Sequence, residues 1–80
     1  MATGTVRFWA AARAAAGRAD QAYDGLTLGS VVADLGAEHG PALAAVLAHC
    51  SFLVDGVCAK PDFVLVDGAE IEVLPPFAGG

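Results

Sequence analysis

Two stretches, one near each end of the chain, alternate so strictly that only a strand suits them. In Thr5-Val6-Arg7-Phe8-Trp9, Val6 and Phe8 point one way and Arg7 and Trp9 the other. In Ala69-Glu70-Ile71-Glu72-Val73-Leu74, Ile71 and Val73 share one face while Glu70, Glu72 and Leu74 share the opposite one. Between them the period changes. Thr27 has the chemistry of an N-cap, and Leu28, Val31, Val32 and Leu35 follow at helical spacing. Gly40 and Pro41 end that helix. Two half-buried strands and one amphipathic helix must share a core, with the helix laid on the apolar face.

The remaining segments fill in the plan. Residues 10–20 read as a loop of short side chains broken by Gly17, although its alanines would also suit a helical turn. Ala19 to Tyr23 reads as a weak second strand, in a hairpin with the first. Pro41 to Cys50 suits a second short helix opened by proline. Asp55-Gly56 between apolar pairs is a strong hairpin signal, and Lys60 to Gly68 reads as a loop with its own turns. The expected fold class is α+β: a mixed sheet with one main helix on one face. Pairing the first and last strands in parallel at the sheet centre buries Val6, Phe8, Ile71 and Val73 against Val31, Val32 and Leu35. That is the β-grasp arrangement, the fold of ubiquitin. Residues 1–80 are expected to form one such domain, with a flexible C-terminal tail over 75–80.

Composition removes whole function classes. Four Lys and Arg against nine Asp and Glu give a net charge of −5. So acidic a chain lacks the clustered cations that phosphate backbones require, so no nucleic-acid partner is expected. An acidic face suits a basic protein partner instead. The alanine-rich run from Ala42 to Ala48 is far too short to span a membrane, for which about 20 apolar residues are needed. The start of the chain lacks the pattern of a secretory signal, so a cytoplasmic location is expected, with Cys50 and Cys58 reduced.

The tail is the segment that folding does not explain. Pro75-Pro76-Phe77-Ala78-Gly79-Gly80 follows the last strand directly. Frayed ends tolerate glycine, yet ten glycines in 80 residues make a pair at one fixed place uncommon by chance. A carboxylate at Gly80 would be ionised and unreactive toward nucleophiles. It becomes an acyl donor only after activation, for instance as an acyl-adenylate. A narrow activating channel needs residues without Cβ, which Gly79 and Gly80 supply. The prolines stop the strand, and Phe77 to Gly80 can reach roughly 13 Å at about 3.3 Å per residue.

With these residues in view, the sequence resembles the ThiS/MoaD-type sulfur carriers, most closely the molybdopterin synthase small subunits. Val6 to Gly17 resembles that family's first strand and following loop, with Arg13 and Gly17 in place. Asp67 to Gly80 resembles its acidic turn, last strand and tail, including the double proline that thiazole-type carriers usually lack. The chain departs from the pattern at Val54-Asp55-Gly56, where the family often has Val-Asn, and at Ala69 within Asp67-Gly68-Ala69-Glu70, where an aspartate is common. The resemblance implies a non-catalytic sulfur donor with no bound cofactor. Gly80 would be adenylated with ATP by an E1-like adenylyltransferase/sulfurtransferase of the MoeB type and converted to a thiocarboxylate. The tail, Pro75 to Gly80, would then enter a large subunit of the MoaE type, in a 2:2 heterotetramer, and give sulfur to a pterin precursor. Carriers for thiamine, cysteine or tRNA thiolation, ubiquitin-like modifiers and a plain interaction domain remain as alternatives.

Trp9 and Leu74 should lie at adjacent strand ends on the face away from the helix, which suggests a docking surface beside the tail. The competing expectation is that the alanine-rich loop or the second helix covers them. The resemblance places Cys58 at the edge of that patch. No metal site is expected from Cys50 and Cys58, which read as small buried or half-buried thiols. His39 and His49 read as surface or helix-end residues, Asp55 and Asp67 as turn formers, and Lys60 as a solvated loop lysine.

Overall fold

The computed structural model describes residues 1–76; Phe77, Ala78, Gly79 and Gly80 lie outside the described residues. The elements run β1 (Ala2–Phe8), α1 (Ala10–Ala16), β2 (Asp20–Gly25), α2 (Leu28–His39), α3 (Pro41–Leu47), β3 (Ser51–Val54), β4 (Val57–Cys58) and β5 (Glu70–Leu74). The strands form one mixed sheet in the order β2-β1-β5-β3-β4. β1 and β5 pair in parallel, with Val6 opposite Ile71 and Phe8 opposite Val73. The other pairs are antiparallel. This is the ubiquitin-like β-grasp fold, with the two alternating strands side by side near the sheet centre.

The core forms where that pairing puts apolar residues. Val6, Phe8, Ile71 and Val73 are buried together with Leu28, Val31 and Leu35 of α2, while Val32 packs at the margin. Each fully buried aliphatic or aromatic side chain contributes about 1.5–3 kcal/mol. Thr27 caps α2 through a box: its hydroxyl accepts from the Ser30 N–H at 3.2 Å, and Ser30 Oγ accepts from the Thr27 N–H at 3.1 Å. Pro41 opens α3, which adds Leu43 and Leu47 to the same core.

Residues 10–16 form a helix rather than the expected loop, because alanine is the strongest helix former and Ala12 finds a fully buried site. Gly17 closes it in the left-handed region at φ 75°, its N–H donating to the Arg13 carbonyl at 2.9 Å. Trp9 accordingly caps α1 instead of ending β1. α1 thus joins the main helix α2 and the short α3 on the core face, the one helix of the three that was not expected.

Both Asp-Gly pairs make turns. Asp55 and Gly56 have φ of 49° and 82°, the positive values a tight two-residue hairpin needs. Asp55 Oδ1 accepts from the Glu70 N–H at 2.9 Å, and Asp67 Oδ1 accepts from the Thr3 N–H at 3.0 Å, so each aspartate ties its turn to a neighbouring strand.

Candidate functional site

β5 carries the tail. It lies between β1 and β3 and runs directly from Leu74 into Pro75, half-buried, and Pro76, exposed. Pairing across strands sets which side chains surround that exit. Arg7 and Leu53 stand opposite Glu72, Ser51 stands opposite Leu74, and Cys58 stands opposite Leu53. Residues directly opposite share a face. These side chains therefore line the side of the sheet away from Val6, Phe8, Ile71 and Val73, whose face the helices cover.

Trp9 joins this face from the end of β1. Its indole Nε1–H donates to Glu72 Oε2 at 3.1 Å, and its backbone N–H donates to the Val73 carbonyl at 3.3 Å. Neither α1 nor α3 covers it: Trp9 is 41% exposed. Leu53 and Leu74 are half-buried. Arg7 Nη2 lies 3.4 Å from Glu70 Oε2 in an exposed pair, which contributes little to stability. The result is an apolar strip of Trp9, Leu53 and Leu74 with Glu72 in its middle, beside the root of the tail.

The structure places Trp9 and Leu74 on the face away from the helices, with Cys58 on the same face beyond β3. Leu53 and Glu72 were not singled out there. The signal for Leu53 was present, since alternation through Ser51-Phe52-Leu53-Val54 puts it opposite in sense to Phe52 and buried Val54. Cys58 is exposed, not half-buried, because β4 is a two-residue edge strand on the uncovered face. Cys50 is half-buried; its thiol donates to the Val46 carbonyl at 3.2 Å, and burial raises its pKa. His39 is more enclosed than expected. It ends α2, packs edge-on against Phe8 and places Nε2 2.6 Å from Gln21 Oε1. His49 and Lys60 are exposed. The sites expected at Phe77, Ala78, Gly79 and Gly80 lie outside the described residues.

Among the described residues, no three His, Cys, Asp or Glu side chains are grouped to hold a metal ion, and no helix is long and apolar enough to cross a membrane.

The ThiS family model matches residues 6–80, nearly the whole chain and the tail with it. The chain belongs to the ThiS family. It is thus a ubiquitin-like protein of the sulfur-carrier and modifier kind. Among solved structures, the small archaeal modifier protein 1 of Methanosarcina acetivorans is 26% identical at a TM-score of 0.89, covering 100% of this chain and 98% of its own. The modifier protein 1 of Haloferax volcanii is 25% identical at 0.85, covering 98% and 99%. In fold alone, the chain is also similar to a chain in the complex of subunits 1 and 2 of the molybdopterin-converting factor from Helicobacter pylori, at 22% identity, a TM-score of 0.72, and coverage of 98% and 99%. No curated protein matches the sequence.

Proposed function

We propose that the chain is a sulfur carrier for molybdopterin synthesis, acting as the sulfur-donor subunit of molybdopterin synthase rather than as a catalyst. The observation that carries this reading is the course of β5. The strand passes beside the partly exposed apolar strip of Trp9, Leu53 and Leu74 and leads directly into Pro75-Pro76, within a family match that runs through Gly79 and Gly80. The Helicobacter pylori pair supports a large-subunit partner of the MoaE type, because a protein of this fold stands there in complex with a second subunit.

The chemistry is acyl activation. A carboxylate oxygen of Gly80 attacks the α-phosphorus of ATP within an E1-like enzyme of the MoeB type, and pyrophosphate leaves. Hydrosulfide from a sulfur donor then attacks the carbonyl carbon and displaces AMP, leaving a thiocarboxylate and a released proton. Glycine at both final positions keeps that carbon open to attack. The chain needs no resident cofactor, since the partner handles ATP, and the work is cytoplasmic. In the synthase the thiocarboxylate passes its sulfur to the pterin precursor.

Similarity to the two archaeal modifier proteins favours one second reading, a modifier joined through Gly80 to lysines of other proteins. Both readings begin with adenylation, so one experiment serves both. The protein is incubated with ATP, a candidate E1-like enzyme and a sulfur donor, and its intact mass is measured. An oxygen-to-sulfur gain at Gly80, followed by loss of that sulfur to a pterin precursor in the presence of a large subunit, supports the carrier. Transfer to lysine with loss of water supports the modifier. An unchanged mass with every candidate enzyme overturns both.

A further inference from the structure

β2 is the outermost strand of the sheet and is bonded on one side only, by β1. Alternate residues of an antiparallel strand turn their backbone groups to opposite sides. The Phe8 N–H donates to the Ala19 carbonyl at 2.8 Å, which fixes the phase. Gln21, Tyr23 and Gly25 therefore bond inward to β1, and Asp20, Ala22 and Asp24 turn outward. Arg18 Nε donates to the Asp20 carbonyl at 2.7 Å. Among the described residues, none takes the N–H or carbonyl of Ala22 or Asp24 from the outer side. The strand is six residues long and contains no proline, so beyond Asp20, whose carbonyl Arg18 takes, charge is what guards this edge.

That charge decides what can pair here. Asp20 and Asp24 flank Ala22 on the strand, and α2 sets Asp34 and Glu38 beside it; all but Asp20 line a groove of about 680 Å³. A second copy is a poor occupant. Two β2 edges pairing antiparallel about Ala22 would set each Asp20 against the other copy's Asp24, and parallel in-register pairing would set like on like. Like charges directly opposite destabilise a sheet. An incoming strand with cations four residues apart has the complementary pattern.

We propose that the β2 edge binds an extended basic segment of a partner protein. The segment adds as an antiparallel strand, with Lys or Arg at positions i and i+4 opposite Asp24 and Asp20 and a small residue opposite Ala22. Alternate residues of the segment turn toward α2, into the groove lined by Val31 and Leu35 as well as Asp34 and Glu38. β1 separates this edge from β5, so an occupant does not pair with the strand that ends at Leu74. The inference stands on β2 and α2 alone and does not depend on the chemistry of Gly80.

The probe is a capped synthetic heptapeptide, Thr-Lys-Val-Thr-Val-Lys-Thr, titrated at millimolar concentration into the full chain labelled with nitrogen-15. The expected result is amide shift changes centred on Ala22 and Asp24, with slowed exchange of those two amides. The Asp20→Lys/Asp24→Lys variant should bind about fivefold more weakly or worse, as two cross-strand attractions become repulsions. Ala22→Pro should weaken binding to a similar degree, because it removes an outward N–H that no ladder bond uses. Protected Val6 and Phe8 amides would show that both variants keep the fold. A peptide with glutamates in place of lysines should not bind. Absence of binding by the lysine peptide, shifts centred on Leu74 and Cys58, equal binding of the glutamate peptide, or unchanged affinity in the charge-reversed variant would each overturn the proposal.

Discussion

The Tyr23 hydroxyl donates a 2.8 Å hydrogen bond to the carbonyl of Ala69, reaching across β1 to tie edge strand β2 to the start of β5. The crossing is possible because Gly4, which stands opposite Tyr23 on β1, has no side chain. A Cβ there would run into the Ala69 carbonyl and lie 2.8 Å from the Tyr23 ring. Gly4→Ala should therefore destabilise the fold by about 1–3 kcal/mol, as overpacking does. Tyr23→Phe, which removes only the hydrogen bond, should cost about 1 kcal/mol. Denaturant unfolding of the two variants checks the order; a Gly4→Ala protein as stable as the parent would remove the steric argument.

The same tyrosine sets a limit at high pH. Burial, with smaller contributions from Asp55 and Asp67, raises its pKa above the ordinary 10.0. The folded chain then holds this proton more tightly than the unfolded chain. The contribution is fully present below pH 10.0 and is lost as pH rises through the folded value. Cys50 acts in the same direction from its ordinary 9.0. Urea midpoints should stay level up to about pH 9 and fall above it, and Tyr23→Phe with Cys50→Ala should flatten that fall. An equal alkaline decline in the double variant would assign it to other groups.

The two cysteines should react at different rates. Cys58 is exposed on β4, while Cys50 is half-buried, bonded to the Val46 carbonyl and raised in pKa. Iodoacetamide at mildly alkaline pH should label Cys58 first, with Cys50 following only slowly, because the thiolate is the reacting form. Peptide mapping after partial labelling reads the order directly, and labelling of Cys50 first would contradict the packing around α3.

The strip beside the tail should matter for partner binding and little for folding. Trp9→Ala removes a 41% exposed indole, and Leu74→Glu puts a charge where an apolar contact would form. Each should weaken binding to a molybdopterin synthase large subunit by about tenfold or more, the loss typical of a central interface residue. Glu72→Gln keeps an acceptor for the Trp9 indole and should bind nearly as well as the parent. Titration calorimetry compares the three. Unchanged affinity in both Trp9→Ala and Leu74→Glu would move the docking surface elsewhere.

Tail variants separate activity from folding. Deleting Gly80 shortens the reach by about 3.3 Å. Gly79→Val adds bulk and restricts the backbone, and one residue added after Gly80 moves the carboxylate off the activating site. All three should abolish thiocarboxylate formation, since misplacing reacting groups by about 1 Å can cost ~100-fold in rate. Thermal stability should change by no more than about 0.5 kcal/mol. Complementation in cells lacking their own carrier provides the readout; rescue by the Gly80 deletion would sink the carrier reading.

Local periodicity was enough to place Val6, Phe8, Ile71 and Val73 on one face, to start α2 at Thr27, and to put a turn at Asp55-Gly56. Each depends on neighbours within a few residues, and the parallel pairing of β1 with β5 then follows from their shared need for cover. The stop of β5 before Pro75-Pro76 was likewise legible, because proline cannot continue a ladder. Other features came only with the tertiary structure. Residues 10–16 became a helix once Ala12 had a core to enter, which no propensity could supply. Leu53 joined Trp9 and Glu72 because β3 pairs with β5, a register between segments some twenty residues apart. His39 reached Gln21 and Phe8, and Tyr23 reached Ala69, across strands distant in sequence. Contacts of that kind are set by how the whole sheet closes over the helices, and their energies do not exist until it has closed.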